Sequence, residues 1–386
     1  MVSDSDAMLN STCPALNVSG NCTLTAALEF PPYIRTAATL AIALLLTLGT
    51  VGNLLVPLVV CKTKDLRNST NLFLINLSVS DLLVLLVCMP TALVELHSQP
   101  EVWILGEGMC RLIPFLELAV AHVSILTILA ISFERYYAIC KPLKAGYTCT
   151  KMRALAIIAT IWVVALLVTS PMLAVSEYGS VEYYDGSNVL SCGVSYGVLW
   201  RKVYILATIA LLFVLPFFIL VIVYSCIAQH LMIHGRALSC SSSEQAQIRA
   251  RRQVVMMLVA VVLSFFLCLL PYRVFIVWII AAPEPVQAHI SLEVFYNLLY
   301  VCRLMLYLNS AINPILYNAI SSKFRDAFCR LLGCRRHRLL RQSTTNTQTS
   351  TSLTFQSSLK SRSSINNGAF NSVVSVGGTP PTAKSV

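Results

Sequence analysis

Apolar residues in this chain neither alternate nor leave a polar face at helical spacing. They run on in seven long stretches, roughly Tyr33–Cys61, Asn71–His97, Met109–Ala138, Ala154–Val175, Val203–Leu231, Val254–Ala281 and Leu292–Tyr317. About 20 mostly apolar residues at a rise of 1.5 Å each carry a helix across a bilayer. The pattern therefore predicts an all-α membrane protein, a bundle of seven transmembrane helices. The third and seventh stretches are the least uniformly apolar, as suits spans that face a polar interior. Pro57, Pro90, Pro171, Pro216, Pro271 and Pro314 fall inside stretches, which neighbouring helices make tolerable in a membrane. Lys323–Leu332 mixes basic and apolar residues and reads as a short amphipathic helix on the inner membrane surface.

Composition agrees: 56% of the 386 residues are hydrophobic and 12% charged, against about 45–50% and about 25% in soluble domains. That excludes a water-soluble globule and a disordered chain. The 14 cysteines fall mostly inside apolar runs, where they behave as small hydrophobes. The net charge of +11 would suit nucleic acid if it were spread over one face, but its placement speaks for orientation. Of the 28 Lys and Arg, 22 lie after the first, third, fifth and seventh stretches, beside four acids (Asp65, Glu134, Glu244 and Asp326). By the positive-inside rule that side is cytoplasmic. The other side holds four cations and eleven acids and attracts a cationic ligand over long range. No nucleic-acid partner is expected; membrane lipids are.

This places the amino terminus outside and the carboxyl terminus inside, in a multi-pass plasma-membrane protein. Residues 1–32 contain Asp4 and Asp6 and no continuous apolar core, so the first span is expected to serve as its own insertion signal. Asn10, Asn17 and Asn21 each open an N-x-S/T triplet on that outer segment and are glycosylation candidates; Asn68 also matches but lies on the inner side. The bundle covers 33–318, the amphipathic helix 319–335 and a tail 336–386. From Gln342 to Val386 the tail has 19 Ser or Thr in 45 residues and no acid. It cannot form a core, and phosphorylation would turn it acidic. Cys329 and Cys334 are candidate palmitoylation sites.

Charges inside the hydrocarbon region cost at least about 2.5–3.5 kcal/mol each, so each needs a reason. Asp81, in NLSVSDLLVLL, has polar residues at similar depth in Asn53, Ser124, Asn309 and Asn313. It is either a hydrogen-bonded structural acid or a sodium or proton site coupling two states. Glu134-Arg135-Tyr136 ends the third span, as a snorkelling pair or as a latch that releases Arg135. Glu117 lies 18 residues before Arg135, about 27 Å up the helix, and Arg273 and Arg303 fall at similar outer depth. The three either form an internal packing pair or line a cavity in which Glu117 meets a ligand cation and an arginine meets a carbonyl or carboxylate. His122 is read as a satisfied interior histidine. Cys110 and Cys192 both face the oxidising side, so a disulfide over the cavity mouth is expected; Cys13 and Cys22 are a weaker pair.

Several motifs coincide at their expected depths: Gly52-Asn53, LSVSD ending at Asp81, ERY at 134–136, Trp162, Pro216, Pro271 and NPILY at 313–317. With them the chain resembles the rhodopsin-like (class A) G-protein-coupled receptors over about residues 33–335. Cys110 and Cys192 occupy that family's disulfide positions. Within the class it is similar to the peptide receptors for thyrotropin-releasing hormone, neuromedin U and ghrelin. KTKDLRNSTNLFLINLSVSDLLVLLVCMPTALVE, ISFERYYAICKPLKAGYTCTK and CLLPYRV look closer still to ecdysis-triggering hormone receptors.

The resemblance implies an amidated peptide ligand of the Pro-Arg-x-amide type, with a thyrotropin-releasing-hormone-like or neuromedin- or ghrelin-like peptide as the alternative. It implies coupling mainly through Gq to phospholipase C and calcium, then receptor kinases and arrestin at the Ser/Thr tail. Arg303 matches a ligand-contacting arginine of thyrotropin-releasing hormone receptors; the acidic outer face and Glu117 fit a ligand arginine by charge, and with Tyr272 and Arg273 these are the expected ligand contacts. Activation would swing the sixth span about Pro271, free Arg135, repack Tyr317 and present Arg251 and Arg252 to the G protein. The family's usual Trp before Pro271 is replaced by Leu269, so the packing trigger differs here.

Three other classes lack support in the sequence. A transporter would show inverted repeats or paired broken spans. An opsin needs a lysine in the seventh span, and Leu292–Tyr317 has none. No H-E-x-x-H, G-x-S-x-G, P-loop or zinc spacing points to an enzyme, and no cofactor is expected beyond a possible sodium ion at Asp81.

Overall fold

A computed structural model of the chain describes residues 30–143, 150–183, 186–194, 196–237, 242–282 and 290–331. Asn10, Asn17, Asn21, Cys13, Cys22, Cys334 and the Ser/Thr tail lie outside the described residues. The chain divides into a unit Met1–Phe328, which holds the bundle, and a unit Cys329–Val386.

Among the described residues seven helices are long and apolar enough to cross a membrane. They are α1 (Pro32–Lys62), α2 (Ser69–His97), α3 (Gly106–Cys140), α4 (Lys151–Val175), α5 (Leu199–Ile233), α6 (Ser242–Ala281) and α7 (Leu292–Ile320). A short α8 (Ser322–Leu331) follows, burying Phe324, Ala327 and Phe328. The bundle is apolar outside and more polar within. Helix α1 exposes Leu40, Leu44, Leu48 and Val51, while Asn53, Asp81, Ser124, Asn309 and Asn313 are buried. That inversion fits a hydrocarbon surround and not water.

Helix ends and irregularities follow from local chemistry. Asn68, the inner N-x-S/T asparagine, caps α2 by accepting from the Asn71 amide at 2.9 Å, which satisfies one orphan donor of the first turn. Two π-turns, Val84–Cys88 in α2 and Ala210–Val214 in α5, sit just ahead of Pro90 and Pro216. Each proline lacks the N–H that its i−4 carbonyl expects, and the widened turn absorbs that gap. Pro171 lies at a turn that interrupts α4 between Thr169 and Met172. Pro114 is a further proline inside α3.

Helix packing uses both close approach and hydrogen bonds. Gly52 lets α1 lie against α7: a Cβ there would sit 2.9 Å from the Pro314 ring. Because that ring cannot rotate away, Gly52→Val is expected to destabilise the bundle by about 1–3 kcal/mol, read as a lower thermal midpoint in detergent. Asn76 joins three helices. Its Nδ2 donates to Thr127 at 2.9 Å, and its Oδ1 accepts from the Trp162 indole at 2.8 Å.

Between α4 and α5 the chain forms a hairpin, β1 (Ser176–Glu182) with β2 (Asn188–Val194), antiparallel with Tyr178 opposite Cys192. The sequence reading has only a loop here. Gly186, at φ +80°, lies in the connection, a left-handed conformation that favours glycine. The Cys110–Cys192 disulfide ties β2 to the first turns of α3. Helix α6 also starts at Ser242, well before the predicted Val254, because the polar stretch ahead of the apolar run continues the helix.

Candidate functional site

At the hairpin end of the bundle a cavity of about 890 Å³ opens between α2, α3, α5, α6, α7 and β2. Its wall is mostly apolar and includes the aromatic residues Trp103, Tyr196, Phe275, Trp278, Phe295 and Tyr296. Its charged residues are Glu95, Glu101, Glu117, Arg273 and Arg303, with Tyr272 among them. Such a mostly apolar, concave site with a few convergent polar groups is what small ligands and peptide ends use.

The five charges are not equivalently placed, Glu101 being exposed in the connection between α2 and α3. Arg303 donates to Glu95 at 2.6 Å, so these two neutralise one another. Glu117 accepts from the Tyr307 hydroxyl at 3.1 Å, a neutral partner. Arg273 has a buried Nε with no partner, and among the described residues no ion pair engages its guanidinium. The charge of Arg303 reaches Glu117 without an ion-pair contact, so among the described residues, and apart from exposed Glu101, the cavity holds one carboxylate, Glu117, and one cation, Arg273, with no ion-pair partner of their own. In a low-dielectric wall each is a strong demand on whatever enters.

Glu117, Arg273 and Arg303, expected from the sequence at one depth, all lie with Tyr272 on one cavity. Glu95 counts in the sequence only as one of the outer-face acids. The π-turn adds a residue before Glu95, which turns the following side chains by about 100°. Pro90 is the signal in the sequence that α2 is irregular there. His122 is buried and bonded to Thr169 at 2.8 Å, and it does not line the cavity.

Deeper in the bundle, Asp81 Oδ2 accepts from Asn313 Nδ2 at 2.9 Å. Asn53 Nδ2 donates to the carbonyls of Gly49 at 3.0 Å and Ser310 at 2.8 Å. Asp81 Oδ1, Asn53 Oδ1 and Ser124 Oγ are buried without partners. Unpaired hard oxygens with a single carboxylate fit a monovalent cation such as sodium. Among the described residues no group of three His, Cys, Asp or Glu could hold a transition metal. Asn309 is buried in the same helix as Asn313, and among the described residues no hydrogen bond joins it to Asp81.

At the opposite end, Glu134 accepts from the hydroxyls of Ser69 and, at 2.8 Å, Thr70. Arg135 donates to Thr70 and lies 3.9 Å from Glu134. Thr70 thus bridges the pair, binding the end of α3 to the start of α2. Tyr136 packs edge-on against Tyr137, with Lys141 over its ring. Tyr317 is fully buried against Phe324, its hydroxyl without a partner. Pro271 lies inside α6, where Leu269 is buried. Arg251 and Arg252 are exposed.

One contact at this end has no signal in the sequence. Gln253 of α6 donates to the Ile320 carbonyl at 2.6 Å and accepts from Ser322 at 3.1 Å. From Gln245 to Ala281 α6 contains no acid, so an ion pair from Arg135 to this stretch is impossible. The neutral Gln253 ties α6 to the junction of α7 and α8.

Residues 52–317 match the family described as 7 transmembrane receptor (rhodopsin family). Growth hormone secretagogue receptor type 1 of Homo sapiens is 36% identical over 310 residues, covering 79% of this chain and 82% of its own length. A QRFP-like peptide receptor of Branchiostoma floridae is 31% identical over 320 residues, 82% of this chain and 83% of its own. The thyrotropin-releasing hormone receptor of Gallus gallus is 32% identical over 319 residues, 76% and 78%.

Proposed function

Because the chain belongs to the rhodopsin family of seven-transmembrane receptors, we propose that it is a plasma-membrane receptor for an amidated peptide of the Pro-Arg-x-amide type, as in ecdysis-triggering hormone receptors, signalling through a Gq-type G protein, phospholipase C and calcium. Peptide receptors among the relatives support the ligand class. The observation that carries the finer reading is the unequal pairing of charges in the cavity. Glu117, hydrogen-bonded to a hydroxyl and in no ion-pair contact, receives the ligand's arginine, and Arg273 receives a ligand carbonyl. Tyr272 and the aromatic wall bury the rest of the peptide end. A thyrotropin-releasing-hormone-like peptide without a permanent cation would leave Glu117 unmatched in a dry site, a costly outcome. Neuromedin-like peptides ending in arginine and an amidated residue are the second reading.

The hairpin end is outside and the ERY end inside, by the distribution of cations. Residues 1–32 carry glycans at Asn10, Asn17 and Asn21. Helix α8, within the predicted 319–335, lies on the inner membrane surface, where palmitate on Cys329 and Cys334 would anchor it. The tail 336–386 takes phosphates from receptor kinases and then binds arrestin.

Ligand acts by population shift. It binds better when the bundle is open inside, so α6 swings about Pro271 and Gln253 leaves Ile320. Arg135 then leaves Thr70, Tyr317 repacks, and Arg251 and Arg252 meet the G protein. Leu269 makes the trigger a change of aliphatic packing and not a tryptophan rotation. Asp81, Asn53, Ser124 and Asn313, with Asn309 nearby, would hold a sodium ion that favours the closed packing. Asp81→Asn is therefore expected to abolish the sodium dependence of agonist affinity while the receptor still reaches the surface; affinity that still falls with sodium would contradict the site.

Calcium recording in cells expressing the chain, against Pro-Arg-x-amide, neuromedin-type and pGlu-His-Pro-amide peptides, tests the function. A sub-micromolar response to Pro-Arg-x-amide peptides, stronger than to the others, is expected. Silence across the panel with surface expression confirmed would overturn the ligand assignment.

A further inference from the structure

We infer that the Glu95–Arg303 pair is the carboxamide-recognition element of the cavity, and that Glu95 selects an amidated peptide end over a free acid. This rests on the peptide-receptor reading above and adds a residue with a defined chemical choice. The pair is joined by one hydrogen bond, Arg303 Nη1 to Glu95 Oε2 at 2.6 Å. Both side chains line the cavity, Arg303 the deeper at 16% exposed and Glu95 at 33%. Among the described residues Glu95 Oε1 accepts no hydrogen bond. A guanidinium carries five N–H donors and a carboxylate accepts at two oxygens. A pair held at a single point therefore presents further donors and an acceptor side by side to whatever enters.

A primary carboxamide matches that presentation. Its carbonyl oxygen accepts from Arg303 while its N–H donates to Glu95 Oε1, and the ion pair stays intact. No charge is added to the site. A free carboxylate meets it differently. It has acceptors only, so it satisfies Arg303 but sets a second negative charge against Glu95 with no proton between them. Like charges brought together in this way are strongly disfavoured at interfaces. Arg303 without Glu95 would prefer the acid, so the selectivity belongs to Glu95. Glu117 is also within reach of the Arg303 charge, but its hydrogen bond goes to Tyr307, one turn along α7 from Arg303, so Glu95 is the acid in direct contact with the guanidinium.

The test compares one synthetic peptide ending in Pro-Arg-Leu in three forms: amide, free acid and methyl ester. Calcium responses are recorded from cells expressing the full-length receptor, as the wild type, Glu95→Gln and Glu95→Asp, each with surface expression measured. The readout is the ratio of potencies between forms, because losses common to all forms cancel. On the wild type the amide is expected to exceed the acid by roughly a hundredfold. In Glu95→Gln that ratio narrows by roughly tenfold or more, and in Glu95→Asp the preference for the amide remains.

The methyl ester separates charge from donation. It is neutral but has no N–H, and on the wild type it is expected well below the amide. If Glu95→Gln fails to reach the surface, this comparison decides alone, and an ester as potent as the amide overturns the inference. Equal potency of amide and acid on the wild type also overturns it, as does an unchanged ratio in Glu95→Gln, while both leave the peptide-receptor reading standing. No response to any form would overturn that reading itself and the inference with it.

Discussion

Replacing Glu117 with glutamine is expected to lower the potency of an arginine-containing amidated peptide by roughly a hundredfold, with the maximal response preserved. Truncating one partner of a buried, hydrogen-bonded charge pair at an interface costs about 2–5 kcal/mol, and each 1.4 kcal/mol is about tenfold. Glutamine keeps the shape of the side chain and still accepts from Tyr307, whose hydroxyl lies 3.1 Å from Glu117. The fold therefore loses little, and the effect falls on the ligand. Full dose–response curves normalised to surface receptor measure it. The maximal response stays because the charge acts on binding and not on the closed contacts at the other end. An unchanged potency would move the ligand's cation to another acid.

Loss of the Gln253 tether is expected to raise signalling in the absence of peptide. Gln253→Ala removes hydrogen bonds to Ile320 and Ser322, and each is worth about 0.5–1.5 kcal/mol net. If both belong to the closed packing alone, the closed-to-open ratio falls by roughly 5- to 150-fold. Inositol phosphate accumulation without agonist, per receptor at the surface, reads this directly. Arg135 has no acid to meet on α6 between Gln245 and Ala281, and the contacts at this end are the neutral tether, the Thr70 bridge and the apolar packing of Ile139 with Val223, Ile227 and Val255. Basal signalling equal to wild type in Gln253→Ala would show that the contact persists in the open bundle.

Much of this molecule is legible in its sequence because the bilayer is a severe constraint. Backbone polar groups in hydrocarbon must be satisfied within the helix, so long apolar runs have one solution and seven of them form the bundle. Charges inside such runs are rare and costly, which is why Asp81, Glu117, Arg273 and Arg303 stand out and why three of them meet on one cavity. The hairpin is hidden because Ser176–Val194 lies outside that constraint and its strands are short and mostly exposed. Glu95 is hidden for a different reason. Its face depends on the π-turn at Val84–Cys88, and an ideal helical repeat places it one step away. Gln253 carries no charge, so nothing in composition distinguishes it from any polar residue at a helix start. Sequence reading finds what is expensive; it misses neutral contacts whose value comes from where a neighbouring helix ends.

A double-mutant cycle across the interface tests most directly whether Glu117 pairs with a ligand arginine. Wild type and Glu117→Gln would each be assayed with a Pro-Arg-Leu-amide peptide and with the same peptide carrying citrulline, neutral and nearly isosteric, in place of arginine. Double-mutant cycles on close charge pairs give coupling of about 1.5–7 kcal/mol. A coupling in that range is expected: citrulline costs the wild type heavily and costs Glu117→Gln little. Losses that simply add, with each change costing the same whether or not the other is present, would contradict the pairing.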